Sequence, residues 1–252
     1  MPKIAIANQK GGVGKSTTAI NLAAGLSQTG HKTLLIDMDP QANTTFAAVG
    51  HTEHNLTTYD LLLNNDLTVH QTIIPVPQLN LDLIPSDINL AGAEIELIST
   101  IGGQTRLRTK LAPLKEQYPF IIIDAPPSLG LLTINALAAA DQIIIPISVS
   151  VFALKGVLQL EQTITQIKQN LDHPHLSING VLCTLHDHTN VAVDIEAAIR
   201  DRFGDLTFQT IIPKNVKLEE AHSHTESIFS YAPNSKGAKA YKDLVQEVIN
   251  RA

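Results

Sequence analysis

The residues whose types and spacing could do chemistry begin near the start of the chain, at Lys10-Gly11-Gly12-Val13-Gly14-Lys15-Ser16-Thr17. They fit the second half of the phosphate-loop pattern G-x-x-x-x-G-K-[ST], with Gln9 where the usual pattern has its first glycine. This is a variant phosphate loop. Gly11, Gly12 and Gly14 let the backbone turn tightly and aim N–H groups at phosphate oxygens, with Val13 between them and Thr17 closing the run. Lys15 is placed to reach the β/γ-phosphates, and the Ser16 hydroxyl to ligate Mg²⁺. A helix starting near Gly14 adds the positive end of its dipole. Two further segments bring carboxylates. Leu35-Ile36-Asp37-Met38-Asp39-Pro40-Gln41 and Ile121-Ile122-Ile123-Asp124-Ala125-Pro126-Pro127-Ser128 are apolar runs ending in aspartate. In open α/β sheets such runs deliver side chains to the carboxyl edge, where ligands bind. Asp124 is placed to hold Mg²⁺, directly or through water, and Asp39 to orient an attacking water. Ser16, Asp39 and Asp124 are thus the candidate Mg²⁺ residues.

Positioning these groups requires alternating strands and helices. Apolar runs predict strands at Lys3–Ala7, Thr33–Asp37, Leu81–Pro85, Phe120–Asp124, Gln142–Ile147, Ile178–Thr184 and Thr207–Ile212. Runs apolar throughout, such as Phe120 to Ile123, mark strands covered on both faces, as in parallel sheets. Helical patterns fall at about 15–29, 104–117, 130–139, 153–171, 190–203 and 235–250. The alternation predicts an α/β fold, a doubly wound and mostly parallel sheet with helices on both faces, in one domain spanning 1–252. In the last helix Tyr241, Leu244, Val245, Val248 and Ile249 share one face, and the other carries charges of both signs. It reads as a docked core helix rather than a basic membrane-surface helix.

Composition narrows the classes. With 252 residues, 44% hydrophobic and 17% charged, the chain is that of an ordinary globular protein. One cysteine, Cys183, excludes an intrachain disulfide, a cysteine-rich zinc site and an all-cysteine iron–sulfur cluster within one chain. No apolar run is long enough to span a membrane, and the opening MPKIAIANQK does not read as a leader. The net charge of −6 argues against a uniformly basic nucleic-acid binder. It is unevenly spread: residues 197–252 hold 8 basic and 7 acidic side chains, leaving 10 and 17 in residues 1–196.

Together these motifs resemble the ParA/Soj family of partition ATPases, in the deviant Walker A group. The family's K-G-G-x-G-K-[ST] matches Lys10 to Ser16, its D-x-D-P-Q matches Asp37 to Gln41, and its D-x-P-P-S-L-G matches Asp124 to Gly130. The segments Leu131 to Leu137, Ile212 to Leu218 and Glu220-Ala221 also look like the family. The resemblance implies an ATP-dependent homodimer holding two nucleotides, with ATP and Mg²⁺ as cofactors. It implies that Lys10 reaches the partner's phosphates, that Lys15 and Ser16 serve phosphate and Mg²⁺, that Asp39 activates water, and that Asp124 takes the Walker B position. Pro213 and Asn215 match the segment near the adenine. Slow hydrolysis stimulated by a ParB-like or other cargo adaptor is expected. So is sequence-independent binding of double-stranded DNA by the ATP-bound dimer, with a cytoplasmic, nucleoid-associated location and no membrane partner. The cargo could be a plasmid or chromosome, or a protein body such as a carboxysome or chemoreceptor cluster. The first strand starts almost at Met1, so the helix-turn-helix extension of some relatives is not expected.

The chain departs from the family at three places. The family's T-M-Y-D-x-R-T reads Thr184-Leu185-His186-Asp187-His188-Thr189, so an arginine that commonly contacts DNA is missing. Neutral histidine does not replace a permanent charge near pH 7. A-P-S-H-G reads Ala221-His222-Ser223-His224-Thr225, and E-Y-x-A-L-E-G reads Ser150 to Gly156 with Lys155 gained. The candidate DNA contacts are Arg200, Arg202, Lys214, Lys217 and Lys236. His186/His188 and His222/His224 read as surface loops rather than metal ligands, and Cys183 as a buried small hydrophobe. Three related classes compete: a MinD-like membrane-bound regulator, an iron–sulfur reductase needing two cysteines per subunit, and a small-molecule kinase or ligase.

Overall fold

The structure, a computed structural model, describes residues 2–114, 116–150 and 155–251, with Lys155 described for its backbone alone. Among the described residues eight strands form one sheet: β1 Lys3–Ile6, β2 Thr33–Asp37, β3 Ile74–Val76, β4 Leu81–Ile84, β5 Phe120–Asp124, β6 Gln142–Ser148, β7 Ser177–His186 and β8 Thr207–Pro213. Their order is β3-β4-β2-β5-β1-β6-β7-β8, parallel except for the β3–β4 pair. The helices are α1 Lys15–Gln28, α2 Asn43–Val49, α3 Thr58–Leu63, α4 Val69–Thr72, α5 Leu90–Ile98, α6 Arg106–Leu111, α7 Leu131–Ala139, α8 Lys155–Asn170, α9 Asn190–Phe203, α10 Val216–Ser223, α11 Ile228–Tyr231 and α12 Lys236–Arg251.

The continuous apolar strands are covered on both faces, as their composition requires. Along β5, Ile121 and Ile123 pack with α5, α6, α7 and α8 on one side, while Phe120 and Ile122 pack with α1 and α12 on the other. The doubly wound parallel sheet expected from the alternation is the observed fold. The docked reading of the last helix also holds. Tyr241, Leu244, Val245 and Val248 are buried against α1 and β8, and the Tyr241 hydroxyl meets Thr18 Oγ1 at 3.2 Å. Among the described residues no helix is long and apolar enough to cross a membrane.

Several expectations are corrected. The helix predicted at 104–117 is broken into a 3₁₀ turn at Gly103–Thr105, α6 and a second 3₁₀ turn at Ala112–Leu114. Pro113 lacks the N–H that a continuing helix needs. The short helices α2 to α5, α10 and α11 and the edge strand β3 were not foreseen, because three to nine residues give too little periodicity. Two of them carried a readable start signal, since Thr57/Asp60 and Thr68/Gln71 are capping boxes. The departure at 150–156 falls on 151–154 and the Lys155 side chain, which lie outside the described residues, as does the first turn of the helix expected from 153.

Two histidines read as surface residues are not. His186, at the end of β7, is 2% exposed, accepts the His188 N–H at Nδ1 (3.0 Å) and sets Nε2 3.2 Å from Glu196 Oε2. His222, in the last turn of α10, is partly buried with Nε2 unpartnered, and burial pushes its imidazole down to about 4. The folded state therefore holds His222 neutral where the unfolded chain protonates it. Stability is present above the ordinary histidine value and falls as pH drops from about 6.5 towards 4. Between pH 7 and pH 5 the wild type is expected to lose up to about 2 kcal/mol more than His222→Gln, measured by denaturant unfolding. Equal losses in the two proteins would remove His222 as the cause. Cys183 is buried in β7, where desolvation pushes its thiol up to about 11, as an inert small hydrophobe.

Candidate functional site

The phosphate loop joins β1 to α1 and is held from below by side chains. Asn8 Nδ2 donates to Pro146 O (2.7 Å), its Oδ1 accepts from Lys10 N (3.0 Å), and Thr184 Oγ1 donates to Val13 O (2.9 Å). These bonds tie the loop to β6 and β7. Gly12 and Gly14 have φ of 68° and 82°, in the left-handed region where a side chain would be strained. Gly14 is the N-cap of α1, so the free N–H groups of its first turn open onto the loop. Among the described residues no side chain caps that end.

Three carboxylates converge beside it. Asp37 and Asp124 end neighbouring strands as register partners, and both are fully buried. Asp37 is saturated: Oδ2 accepts from Thr45 N (2.8 Å) and Thr45 Oγ1 (2.7 Å), and Oδ1 accepts from Asp39 N (3.0 Å). Asp124 Oδ2 accepts from Thr44 Oγ1 (2.7 Å), and the Ser16 hydroxyl lies beside the same carboxylate. Asp124 Oδ1 is buried and has no donor among the described residues. Burial drives both carboxyls well above the ordinary aspartate range, and the Asp124 charge adds to the rise at Asp37. Lys15 is 7% exposed, with Nζ donating to Lys10 O (3.2 Å). Burial lowers its pKa, and the charges of Asp124 and Asp39 oppose that shift.

Asp39 is held differently. Its N–H is taken by Asp37, its carbonyl accepts from Ser86 Oγ (2.8 Å), and its Oδ1 accepts from Gln41 N (3.0 Å). Among the described residues no donor reaches Oδ2. Lys10 points along its own chain, with Nζ donating to Ser150 Oγ (2.7 Å) and lying 3.5 Å from Ser148 Oγ.

A cavity of about 550 Å³ opens beside the loop, walled in part by Gly14, Thr17, Ser148, Thr184, Asn215 and Tyr241. Asn215 also caps α10, accepting from Lys217 N (3.0 Å), which fixes its side chain at the wall. Pro213 ends β8 opposite His186, one step back from the wall. Of the candidate cations, Lys214 lines this cavity beside Asn215, and the others lie away from it. Arg200 donates to Glu196 (2.7 Å) and to the Phe208 and Gln209 carbonyls, Arg202 to Glu161 (2.7 Å), and Lys217 to Glu220 (2.7 Å). Lys214 and Lys236 are exposed and have no ion pair among the described residues.

The residues fit a Mg²⁺–nucleotide. A buried carboxylate oxygen without a donor, a hydroxyl beside it and two adjacent buried acids facing one lysine form a hard oxygen site short of positive charge. Ser16 and Asp124 would hold the ion, which would neutralise phosphate charge. Asn8, Asp37, Thr44, Thr45, Ser86 and Thr184 were not foreseen as supports. Asp37 and the Thr44-Thr45 pair sat in or just beyond the D-x-D-P-Q segment, whereas Asn8, Ser86 and Thr184 gave no local signal.

A family model described as an AAA domain matches residues 1–178. The chain is 45% identical over 247 residues to the sporulation initiation inhibitor protein Soj of Bacillus subtilis (strain 168), covering 97% of each. It is 44% identical over 251 residues to the chromosome partitioning protein ParA of Myxococcus xanthus (strain DK1622), covering 98% of this chain and 88% of that protein. Among solved structures, cobyrinic acid a,c-diamide synthase of Mycobacterium smegmatis with bound ATP analog and magnesium matches with a TM-score of 0.86 at 32% identity, covering 99% of this chain and 95% of that one.

Proposed function

The chain belongs to the ParA/Soj family of partition ATPases, and from that membership and the geometry of its site we propose that it hydrolyses ATP as a nucleotide-dependent homodimer that partitions or positions cargo on DNA. One observation carries the reading: Lys15, the Ser16 hydroxyl, the open oxygen of Asp124 and the free oxygen of Asp39 meet at the mouth of the braced loop. In this reading the loop N–H groups and Lys15 bind the phosphates, and Asp39 Oδ2 accepts a proton from the attacking water. Lys10 leaves Ser148 and Ser150 to reach the partner's phosphates when the dimer forms. Asn215 sits against the base, with Pro213 behind it. A ParB-like adaptor stimulates turnover.

The ligase reading, favoured by likeness to the synthase, is weighed against higher identity to two partition-family proteins over nearly the whole chain. A MinD-like anchor is disfavoured by α12, whose apolar face is spent on the core.

DNA contact is proposed to rest first on Lys214 and Lys236, the two candidates with no ion pair among the described residues, with Arg202 and Lys217 able to exchange partly exposed carboxylates for phosphates at little cost. Anisotropy with a fluorescent random-sequence duplex tests this. The ATP-loaded protein is expected to bind at low salt, and Lys214→Ala to shallow the slope of log affinity against log salt by about 1. No binding at low salt with ATP would remove DNA from the proposal.

A further inference from the structure

Helix α5 is apolar on two sides. Leu90, Ala93 and Leu97 face the core. Ile88, in the turn leading into the helix, then Ala91, Ile95 and Ile98 recur at spacings of three, four and three, which aligns them in one outward stripe. Ile101 follows in the next turn. Ile88 is 66% exposed, Ile95 and Ile98 are 75% exposed, and Ile101 is 100% exposed. A single exposed isoleucine needs no explanation, but four in succession form a surface to be covered.

The charge around the stripe says what covers it. The chain has no lysine or arginine between Lys32 and Arg106, and nine acidic residues in that interval. Glu94 and Glu96 flank Ile95 on the helix. A hollow of about 700 Å³, lined in part by Pro40, Gln41, Glu53, His54, Asp87 and Ile88, runs from the stripe to the residues directly after Asp39. DNA is repelled here. Two-fold pairing with a second copy would set like charges against each other. A cationic segment with apolar anchors fits both features.

Hydrogen bonds join this face to the site. Ser86, just before the stripe, donates Oγ to Asp39 O, and its N–H donates to Thr45 Oγ1 (2.8 Å each), the hydroxyl that donates to Asp37. Glu94 Oε1 accepts from Leu132 N (3.4 Å) at the start of α7, and it packs so closely on Gly130 that a side chain there would displace it. Asp124 lies six residues before Gly130.

We propose that the isoleucine stripe of α5 and its acidic surround dock a cationic, apolar-anchored segment of the stimulating partner, and that α5 relays docking to Asp39 through Ser86 and to the Asp124 segment through Glu94. This rests on the reading of a partner-stimulated ATPase. The test measures ATP hydrolysis with and without the purified ParB-like protein of the same genome, for wild type, Ile95→Ser/Ile98→Ser and Glu53→Lys, with melting curves as a check on folding. Unchanged basal rates are expected. The adaptor concentration for half-maximal stimulation should rise at least about tenfold in the double variant. Glu53→Lys should raise it less and weaken its salt dependence. Stimulation of both variants equal to wild type overturns the docking site and leaves the ATPase reading standing. Absence of stimulation in wild type overturns the partner reading and this proposal with it. If the double variant instead loses ATP-dependent dimerisation by light scattering, the stripe belongs to a second copy and the proposal is wrong. If the double variant melts early, Glu53→Lys alone decides.

Discussion

Lys15→Ala is expected to abolish nucleotide-dependent dimerisation and to weaken ATP binding by about 10²–10⁴-fold, the loss of two charge-assisted hydrogen bonds at roughly 1.5–3 kcal/mol each. The size follows from where Lys15 sits. Its ammonium is almost fully buried, with the Asp124 and Asp39 charges opposing its desolvation. Alanine removes the cation and leaves three acids at the phosphate mouth, so only the loop N–H groups are left to attract an incoming triphosphate against them. The buried acids can take up protons, so the variant should still fold at neutral pH. Titration with a fluorescent ATP analogue and light scattering with a non-hydrolysable analogue read the two effects. Wild-type affinity in this variant would sink the phosphate-site assignment.

The second large effect separates binding from chemistry. Asp39→Ala should bind ATP and dimerise as wild type does, while single-turnover hydrolysis falls by about 10²–10⁴-fold, the usual worth of a positioned general base. Among the described residues Asp39 Oδ2 and Asp124 Oδ1 both lack a donor, but Asp124 Oδ1 is buried on the side of Ser16, where the ion would sit, which leaves Asp39 for a water. Asp37 is saturated by three donors. Asp39→Asn is the sharper control, since the amide keeps the bond from Gln41 N and cannot accept a proton. If either variant hydrolysed at the wild-type rate, water activation would have to come from elsewhere. If Asp39→Ala also lost ATP affinity, the residue would be a binding group instead.

These predictions use residues that differ in how visible they were in the chain. The glycine loop was legible because its chemistry is contiguous: phosphate binding needs successive N–H groups, a lysine and a hydroxyl within eight residues. The strands behind it were legible because a doubly covered strand must be apolar throughout. The order of those strands was not legible. Neither were the small helices between β2 and β5, whose four to nine residues take their stability from packing rather than from periodicity. His186 shows the same limit from the other side. Without a third metal ligand nearby the residue read as part of a surface loop, yet β7 carries the ring into the interior beside Glu196.

Chain chemistry alone thus settled the fold class and the family, and it named Lys15, Ser16, Asp39 and Asp124 as candidates, because each depends on residues adjacent in sequence or on a two- or 3.6-residue period. Tertiary structure decided which oxygens remain available. Thr44 and Thr45 reach Asp124 and Asp37 across 80 and 8 residues, Thr184 braces Val13 across 171, and Ser86 holds Asp39 across 47. It also decided that the isoleucines of α5 face outward, since their spacing fits a buried stripe equally well. Hydrogen-bond saturation and burial are properties of neighbours in space, and this topology draws those neighbours from distant parts of the chain.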